Sequence, residues 1–377
     1  MDASMRWIIK IGACFLQILY YVYRAIPGKR RILIVSRQSD MPSIDIQMLC
    51  EALEKERPQE QVKVMCRYNQ SAAKISLSYL FYMIGPMMWN FAHAKLVVLD
   101  GYCIVASMLK HRHDLPIVQM WHAMGAFKKF GYAVLDEKEG YSQSLAEAMH
   151  MHRGYHYVFV SQEICRPLMQ QAYKCPLDAL KVMPLPRVDF IRREPYVTQS
   201  RERIQKAYPQ LVDTPKKVIL YAPTFRKGGD NEDYIRRFAQ AVDYTKYELI
   251  IKPHPLVHGG RADARSILDT QFQSIEWLAV ADYVVTDYSA FILEAALADV
   301  PIYRFVPDAE DYLENRGFFI DISTEWPGYV SANAREVLSA MEQNMTKGSD
   351  VRAFAEKYVA DSGHCTADMA AFLCDLL

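Results

Sequence analysis

The sequence lacks a net charge. Its 377 residues include 44 Lys and Arg and 44 Asp and Glu, which gives a formal charge of zero with histidine neutral. A neutral chain is not drawn to nucleic acid by bulk electrostatics, so any anion site must be built from locally clustered basic residues. With 51% hydrophobic and 23% charged residues, the chain is too apolar to be disordered. At ~100–200 residues per domain, the length predicts two domains.

No CxxC pair occurs among the eight cysteines, which are scattered along the chain. This spacing indicates reduced thiols of a cytoplasmic protein rather than a disulfide framework. The histidines at 111 and 113, and at 150, 152 and 156, have no cysteine or acidic partner in a recognised ligand pattern. The sequence therefore predicts no metal site.

The common glycine-rich nucleotide motifs are missing. Gly259 and Gly260 do not belong to a GxGxxG or GxxxxGK[ST] sequence, which argues against a dinucleotide cofactor and against NTP-driven chemistry. No cofactor is predicted. The chain also has no internal repeat of ~20–50 residues, which excludes a solenoid.

The amino-terminal segment, residues 1–28, is apolar and aromatic, but its charge-free run covers only residues 11–23. This is shorter than the ~20 residues that a spanning helix needs. Helical spacing predicts an amphipathic helix with a narrow polar stripe of Arg6, Lys10, Gln17 and Arg24. Together with the basic residues 29–31, it predicts peripheral attachment to the anionic cytoplasmic face of a membrane. The alternative is a helix packed on the protein's own core, or on a second subunit in an oligomer.

Beyond this segment, short β-branched runs alternate with longer helical stretches. Such alternation predicts two parallel-sheet α/β domains, residues 29–190 and 191–377, with a last helix that either closes the second domain or crosses back to the first. Ligands of such domains bind at the carboxyl ends of strands. The predicted strands cover residues 31–36, 61–66, 95–100, 116–121 and 155–161, and then 216–224, 247–255, 282–289 and 301–305.

Polar residues are concentrated where these predicted strands end. His122 follows one strand, and an imidazole is suited to accept a proton at neutral pH. Arg226 offers a guanidinium fork for phosphate, and His254 lies in a stiff turn flanked by prolines. Ser289 begins a helix whose free N–H groups favour an anion. A structural alternative remains for each, such as simple capping by Ser289.

In this order, the strand-end motifs resemble the CDP-glycerol glycerophosphotransferase family of teichoic acid synthesis. The resemblance covers roughly residues 95–330 and is most specific at ADYVVTDYSA (281–290), PIYRF (301–305), EDYLENRGFFID (310–321) and Pro327-Gly328. It implies a GT-B fold, with two Rossmann-like domains facing a cleft. The amino-terminal domain would bind the acceptor, the carboxyl-terminal domain would bind the CDP-linked donor, and the protein would lie on the cytoplasmic membrane surface.

The resemblance also implies a reaction and residue roles. A polyol phosphate, expected to be glycerol phosphate, would pass from a CDP-polyol to a hydroxyl of a polyprenyl-diphosphate-linked acceptor, releasing CMP. His122 would be the base and His254 would act near the donor pyrophosphate. The remaining candidates are Thr224, Arg226, Lys252, Asp287, Ser289, Ala290, Glu294 and Arg316 on the donor side, and Trp121, Gly125 and Lys128 on the acceptor side.

The motifs also depart from the family pattern. Ala290 stands where a second serine is often found, and Lys252 stands where relatives often have arginine. These changes put the identity of the polyol in doubt more than the reaction class. Two alternatives remain: a GT-B glycosyltransferase or sugar-nucleotide epimerase that uses a UDP-sugar, and a non-catalytic membrane scaffold.

Overall fold

The computed structural model describes residues 3–68, 76–137, 140–224, 231–253, 263–309 and 317–377. The chain forms two compact units. The first comprises Met1–Arg187 and Ala360–Leu377, and the second comprises Val188–Val359. The carboxyl-terminal segment therefore belongs to the first unit, which was one of the two placements that the sequence left open.

The first unit contains a six-stranded parallel sheet in the order β2-β1-β3-β4-β5-β6. Its central strands are buried on both faces, which explains their continuous apolar sequence. The order reverses direction between β1 and β3. The strands are β1 Arg31–Ser36, β2 Val62–Cys66, β3 Ala94–Leu99, β4 Ile117–Gln119, β5 Tyr157–Val160 and β6 Leu180–Val182.

Helices of the first unit cover both faces of this sheet, and several begin at a side-chain cap. The Ser43 hydroxyl, for example, accepts a hydrogen bond from the Ile46 N–H. A π-helical turn at Met83–Met87 accommodates Pro86. The helices are α1 Ala3–Ala25, α2 Ile44–Glu56, α3 Leu77–Tyr82, α4 Met88–Ala92, α5 Ile104–Met108, α6 Gln143–Ala148 and α7 Arg166–Tyr173, with short 3₁₀ turns at Gly131–Val134, Glu163–Cys165 and Leu177–Ala179.

The second unit contains another six-stranded parallel sheet, ordered β12-β11-β10-β7-β8-β9. Its order reverses between β7 and β10, as in dinucleotide-binding folds. The strands are β7 Lys217–Tyr221, β8 Tyr247–Ile251, β9 Ile267–Leu268, β10 Tyr283–Thr286, β11 Ile302–Phe305 and β12 Tyr329–Ser331. The two parallel sheets confirm the predicted fold class.

The remaining helices, in chain order, begin at the boundary between the units, end with one that belongs to the first unit, and are accompanied by a 3₁₀ turn at Pro209–Leu211. They are α8 Arg187–Arg192, α9 Tyr196–Ala207, α10 Asn231–Ala241, α11 Ser274–Trp277, α12 Phe291–Leu297, α13 Ile322–Glu325, α14 Ala334–Glu342, α15 Gly348–Tyr358 and α16 Cys365–Cys374. The last of these, α16, packs on α2 in the first unit.

One face of α1 packs on the first unit. Tyr20 is fully buried, and its hydroxyl lies 2.8 Å from His111 Nδ1. Gln17, which the sequence pattern assigned to a narrow polar stripe, faces the protein, since its amide bonds to the Lys110 backbone. The helix thus uses a partly polar face for internal contacts, because amide groups satisfy the backbone of the segment after α5.

The opposite face of α1 is apolar and exposed. Six large side chains on this face are at least half exposed: Trp7, Ile8, Ile11, Phe15, Ile18 and Val22. By length and composition alone, Trp7–Ala25 is able to cross a membrane, although its charge-free run had argued against this. An exposed apolar stripe of this length marks an interaction surface.

We expect Tyr20→Ala to lower the free energy of unfolding by about 3–5 kcal/mol, since it removes a fully buried aromatic ring. Phe15→Ala on the same helix should cost less than about 0.5 kcal/mol, because Phe15 is 65% exposed. Urea titration of the two variants provides the measurement. Equal losses would show that α1 does not pack through Tyr20.

Candidate functional site

The candidate site of the first unit lies where its strand order reverses. Parallel strands end at the same edge of a sheet, and this edge at the reversal point is where α/β proteins bind ligands. Gln38 lies two residues past β1, Asp100 follows β3 directly, and Trp121 and His122 follow β4. The register pairs Leu99 with Gln119, so the chain segments after β3 and β4 leave the sheet side by side.

His122 is fixed by a hydrogen bond to the main chain. Its Nδ1 lies 2.8 Å from the Asp100 carbonyl oxygen and 3.2 Å from Gln38 Nε2. Because the carbonyl is the nearer of the two groups and can only accept, we assign the proton to Nδ1. Among the described residues, Nε2 has no hydrogen-bond partner and keeps its lone pair. Burial lowers the pKa of His122 to about 4, with the nearby charges of Arg187 and Arg37 acting in the same direction. The ring is therefore a neutral imidazole at neutral pH.

The His122 ring directly follows a strained turn at Trp121. Trp121 adopts φ 65°, a left-handed conformation that is unfavourable for a bulky side chain. Two contacts hold it: its N–H donates to Gln119 Oε1 at 3.0 Å, and its indole stacks on Phe130 at 4.3 Å between centroids. This turn ends β4 at Gln119, earlier than the predicted strand end at residue 121.

The loop after His122 contains the other two acceptor-side candidates. Gly125 has φ 80°, which favours glycine, and its N–H donates to Ser161 Oγ at 3.0 Å. Lys128 is partly exposed in the same loop. Gly125 therefore shapes the loop, and Lys128 places a cationic side chain in it.

An ion pair between Arg187 and the buried Asp45, which the sequence did not reveal, holds the main chain of His122. The Arg187 main-chain N–H lies 2.8 Å from Asp45 Oδ1, and its Nε lies 2.9 Å from Oδ2. Its Nη2 also bonds to Oδ2 and donates to the His122 carbonyl oxygen at 3.1 Å. The two residues are 142 positions apart, so only the fold brings them together. The Asp45 carboxylate thereby positions His122 through Arg187.

Asp100 is a further residue of this site that the sequence did not predict. Its side chain is buried, and its Oδ1 has no hydrogen-bond partner among the described residues. Burial raises the pKa of this carboxyl to about 6, although hydrogen bonds from Ser36 and the Arg37 backbone oppose the shift. The available signal was its position, directly after an apolar strand at the reversal point.

The candidate site of the second unit also lies at a reversal point, after β7 and β10. The Asp287 carboxylate accepts hydrogen bonds from the Thr224 N–H at 3.0 Å and from its hydroxyl at 2.5 Å. It also accepts from the Tyr288 N–H at 2.6 Å. Asp287 is buried and holds the two strand-end loops together, so it organises this edge of the sheet rather than contacting an anion.

The segment 289–294 forms the start of a short helix. The Phe291 N–H donates to Ser289 Oγ at 3.3 Å, and Ala290 is the N-cap residue of α12 without a side-chain bond of its own. Glu294 is buried on this helix. Arg304 on the adjacent strand β11, which the sequence did not single out, is also buried and donates to the Ile322 carbonyl at 3.0 Å.

Lys252 does not point to a phosphate site. Its ammonium lies 2.9 Å from Asp269 Oδ2, 2.9 Å from the Asp269 carbonyl and 2.5 Å from the Phe272 carbonyl. These contacts use all three N–H donors of the ammonium. Burial raises the pKa of Asp269, but hydrogen bonds from Trp277, Tyr208 and Lys252 outweigh it and lower the pKa overall. Lys252 is therefore an internal ion-pair partner of Asp269, and both side chains are buried in the second unit.

Three donor-side candidates, Arg226, His254 and Arg316, lie outside the described residues. Their roles remain predictions. The described residues nevertheless bring His122 and Gly125 together in the first unit, and Thr224, Asp287 and Ser289 in the second.

Comparison with known proteins identifies the family. Residues 18–365 match CDP-Glycerol:Poly(glycerophosphate) glycerophosphotransferase, which confirms the resemblance seen in the motifs. The chain is 25% identical over 359 residues to a teichoic acid ribitol-phosphate primase of Bacillus spizizenii, covering 92% of this chain and 91% of the relative. It is 28% identical over 371 residues to the teichoic acid poly(ribitol-phosphate) polymerase of the same organism, covering 94% of this chain and 58% of the relative.

The fold is similar to that of the wall teichoic acid polymerase TagF. The TM-score is 0.74 at 14% identity, over 100% of this chain and 99% of that chain. One structure of a TagF variant was obtained after a soak with CDPG. This likeness supports the GT-B fold class.

We expect Lys252→Met to destabilise the second unit by about 3–5 kcal/mol, because it leaves the Asp269 carboxylate buried without its cation. Lys246→Met is a matched control, since the pair that Lys246 forms with Glu342 is exposed and its loss should leave the free energy of unfolding nearly unchanged. Urea titration compares the two variants. A Lys252→Met protein as stable as the wild type would contradict the stabilising role of the Lys252–Asp269 ion pair. Lys252 would then again be a candidate phosphate ligand.

Proposed function

The chain belongs to the CDP-glycerol:poly(glycerophosphate) glycerophosphotransferase family, and on this premise we propose that it transfers a polyol phosphate from a CDP-polyol to a hydroxyl of a membrane-lipid-linked acceptor. It is a transferase of the type found in teichoic acid synthesis. The first unit is assigned the acceptor and the second unit the CDP-linked donor.

The observation that carries this proposal is the neutral imidazole of His122, with Nδ1–H donated to the Asp100 carbonyl and Nε2 left as an acceptor. A base of this kind can take the proton of an acceptor hydroxyl. The hydroxyl oxygen then bonds to the β-phosphorus, and the bond from that phosphorus to the bridging oxygen breaks. CMP leaves with the bridging oxygen and its electron pair, and the proton stays on Nε2 until solvent removes it.

The low pKa of His122 has a consequence for this step. In the protein without substrates, protonation of the ring is disfavoured by burial. A bound pyrophosphate and the charge that develops on the transferred phosphoryl group would oppose this effect and favour the imidazolium. His122 is thus a base that becomes effective when the anionic donor is present.

On the donor side, the strand-end loops joined by Asp287 and Thr224 and the main-chain N–H groups near Ser289 and Ala290 support a pyrophosphate site. Arg226 and His254 are proposed to contact the pyrophosphate, since positioning and charge neutralisation dominate phosphoryl transfer. Glu294 is proposed to contact donor hydroxyl groups, and Arg316 is a further donor-side candidate.

The polyol is the least constrained part of the proposal. The family resemblance of the motifs favours glycerol phosphate, whereas two of the similar curated proteins are ribitol-phosphate enzymes. Both donors therefore belong in the test. The acceptor is proposed to be a polyprenyl-diphosphate-linked molecule, which requires the enzyme to work at a membrane surface.

The exposed face of α1 supports attachment to the cytoplasmic face of the membrane. Its large apolar side chains point away from the first unit, whereas Leu16, Tyr20 and Tyr23 pack against that unit. A helix with one face held by protein and the other exposed is suited to lie in the plane of the interface.

We expect the purified enzyme to release CMP from CDP-glycerol or CDP-ribitol when a lipid-linked acceptor is present, and His122→Gln to lower this rate by at least about 100-fold through loss of the base. His364→Gln is the control, since this side chain is 69% exposed on the first unit. Mass spectrometry of the product identifies the polyol.

Two results would contradict the proposal. Release of UDP from UDP-sugars without CMP release from either CDP-polyol would indicate a glycosyltransferase or an epimerase. A His122→Gln enzyme as fast as the wild type would exclude His122 as the base.

We expect replacement of Ile11, Phe15 and Ile18 by glutamine to shift the protein from the membrane to the soluble fraction without unfolding it, because all three side chains are exposed. Each apolar side chain that becomes buried in the membrane stabilises the bound state by about 1.5–3 kcal/mol. Met41→Gln, at an exposed apolar side chain away from α1, is the control. Fractionation of cells measures the distribution, and an unchanged distribution would exclude α1 as the anchor.

A further inference from the structure

A basic cavity of about 620 Å³ lies at the carboxyl end of α1 in the first unit. Its lining includes three arginines, Arg24, Arg30 and Arg112, together with Gly28 and His93. It is distinct from the site around His122, since none of its lining residues follows a strand at the reversal point. Clustered guanidinium groups repel one another, which favours the binding of an anion among them.

The walls of the cavity are fixed by internal bonds. The two ring nitrogens of His93 each lie 2.8 Å from a carbonyl oxygen, that of Trp89 and that of Ile26. A Cβ atom on Gly28 would come within 2.2 Å of the His93 ring, so only glycine fits there. His93 therefore joins the end of α4 to the segment after α1, and its nitrogens are not available to a ligand.

Arg112 is also part of the wall. Its Nη atoms donate to the carbonyl oxygens of Ala92 and Ala94, and its Nε lies 3.0 Å from Asp114, whose carboxylate offsets its charge. The other two arginines of the lining are Arg24 and Arg30. Neither has a hydrogen bond or ion pair within the described part of the chain, although Arg24 lies 5.7 Å from the centroid of the Tyr21 ring.

The position of the cavity indicates what kind of anion it accepts. Ile26, one of its lining residues, is 43% exposed and continues the exposed apolar stripe of α1. When that stripe contacts the acyl region of a bilayer, the cavity lies at the level of the headgroups. Guanidinium groups bind phosphate oxygens with a two-pronged geometry that an ammonium does not provide.

We propose that this cavity binds the phosphate of an anionic membrane lipid, with Arg24 and Arg30 as the ligands. The inference rests on the proposed membrane-facing role of α1. It adds a defined site, which makes the orientation of the helix depend on lipid headgroups and not only on apolar contact.

A charge-conserving variant separates a defined site from diffuse attraction. We expect full-length Arg24→Lys/Arg30→Lys protein to bind vesicles of equal parts phosphatidylcholine and phosphatidylglycerol about tenfold more weakly than the wild type, because the guanidinium hydrogen bonds are lost. Arg31→Lys, a neighbour outside the cavity, should bind like the wild type. Flotation of both variants and thermal unfolding, which should be unchanged, provide the measurements.

Three outcomes would overturn the assignment. Wild-type-like vesicle binding of the double variant would show that only charge matters. An equal loss of vesicle binding in Arg31→Lys would show that the two arginines of the cavity contribute no more than a neighbouring arginine outside it. Inorganic phosphate that binds the wild type but not the double variant, with equal vesicle binding by both, would make this a site for soluble phosphate.

CMP release in detergent should be as fast in the double variant as in the wild type. A wild-type protein that releases no CMP would contradict only the proposed transferase function.

Discussion

The hydrogen bond from His122 Nδ1 to the Asp100 carbonyl is the interaction on which the first site depends. It joins the chain segments that leave β3 and β4, and it fixes which nitrogen of the imidazole carries the proton. The strained turn at Trp121 orients the His122 ring, and the Asp45–Arg187 pair holds the His122 main chain. A single main-chain acceptor thereby fixes the tautomer of a half-buried histidine and leaves Nε2 as the proton acceptor at neutral pH.

In the second unit, a side-chain carboxylate rather than a main-chain carbonyl accepts the hydrogen bonds that join two strand-end loops. Asp287 follows β10 and bonds to both the N–H and the hydroxyl of Thr224 after β7. In each unit, a residue at the reversal point of the sheet thus holds the neighbouring strand-end loop in place. The parallel topology provides such a strand-end position in each of the two units.

The sequence predicted the alternating sheets and the strand-end positions, because buried parallel strands leave a continuous apolar signal. It could not predict where long side chains point. Lys252 follows a strand as a phosphate ligand would, yet its ammonium turns to Asp269 seventeen positions away. Gln17 matched a polar stripe but faces the protein. Asp45 and Arg187 are far apart in sequence, so only tertiary contact shows that they support His122.

The tautomer of His122 tests this account most directly, since proton transfer to Nε2 requires that Nδ1 already carries a hydrogen. Nitrogen-15 NMR of the ring, with His122→Gln used to assign its signals, reports the protonation of each nitrogen. At neutral pH we expect a protonated Nδ1 and an unprotonated Nε2. A ring with hydrogen on Nε2 only, or on both nitrogens, would contradict the assignment of His122 as the base.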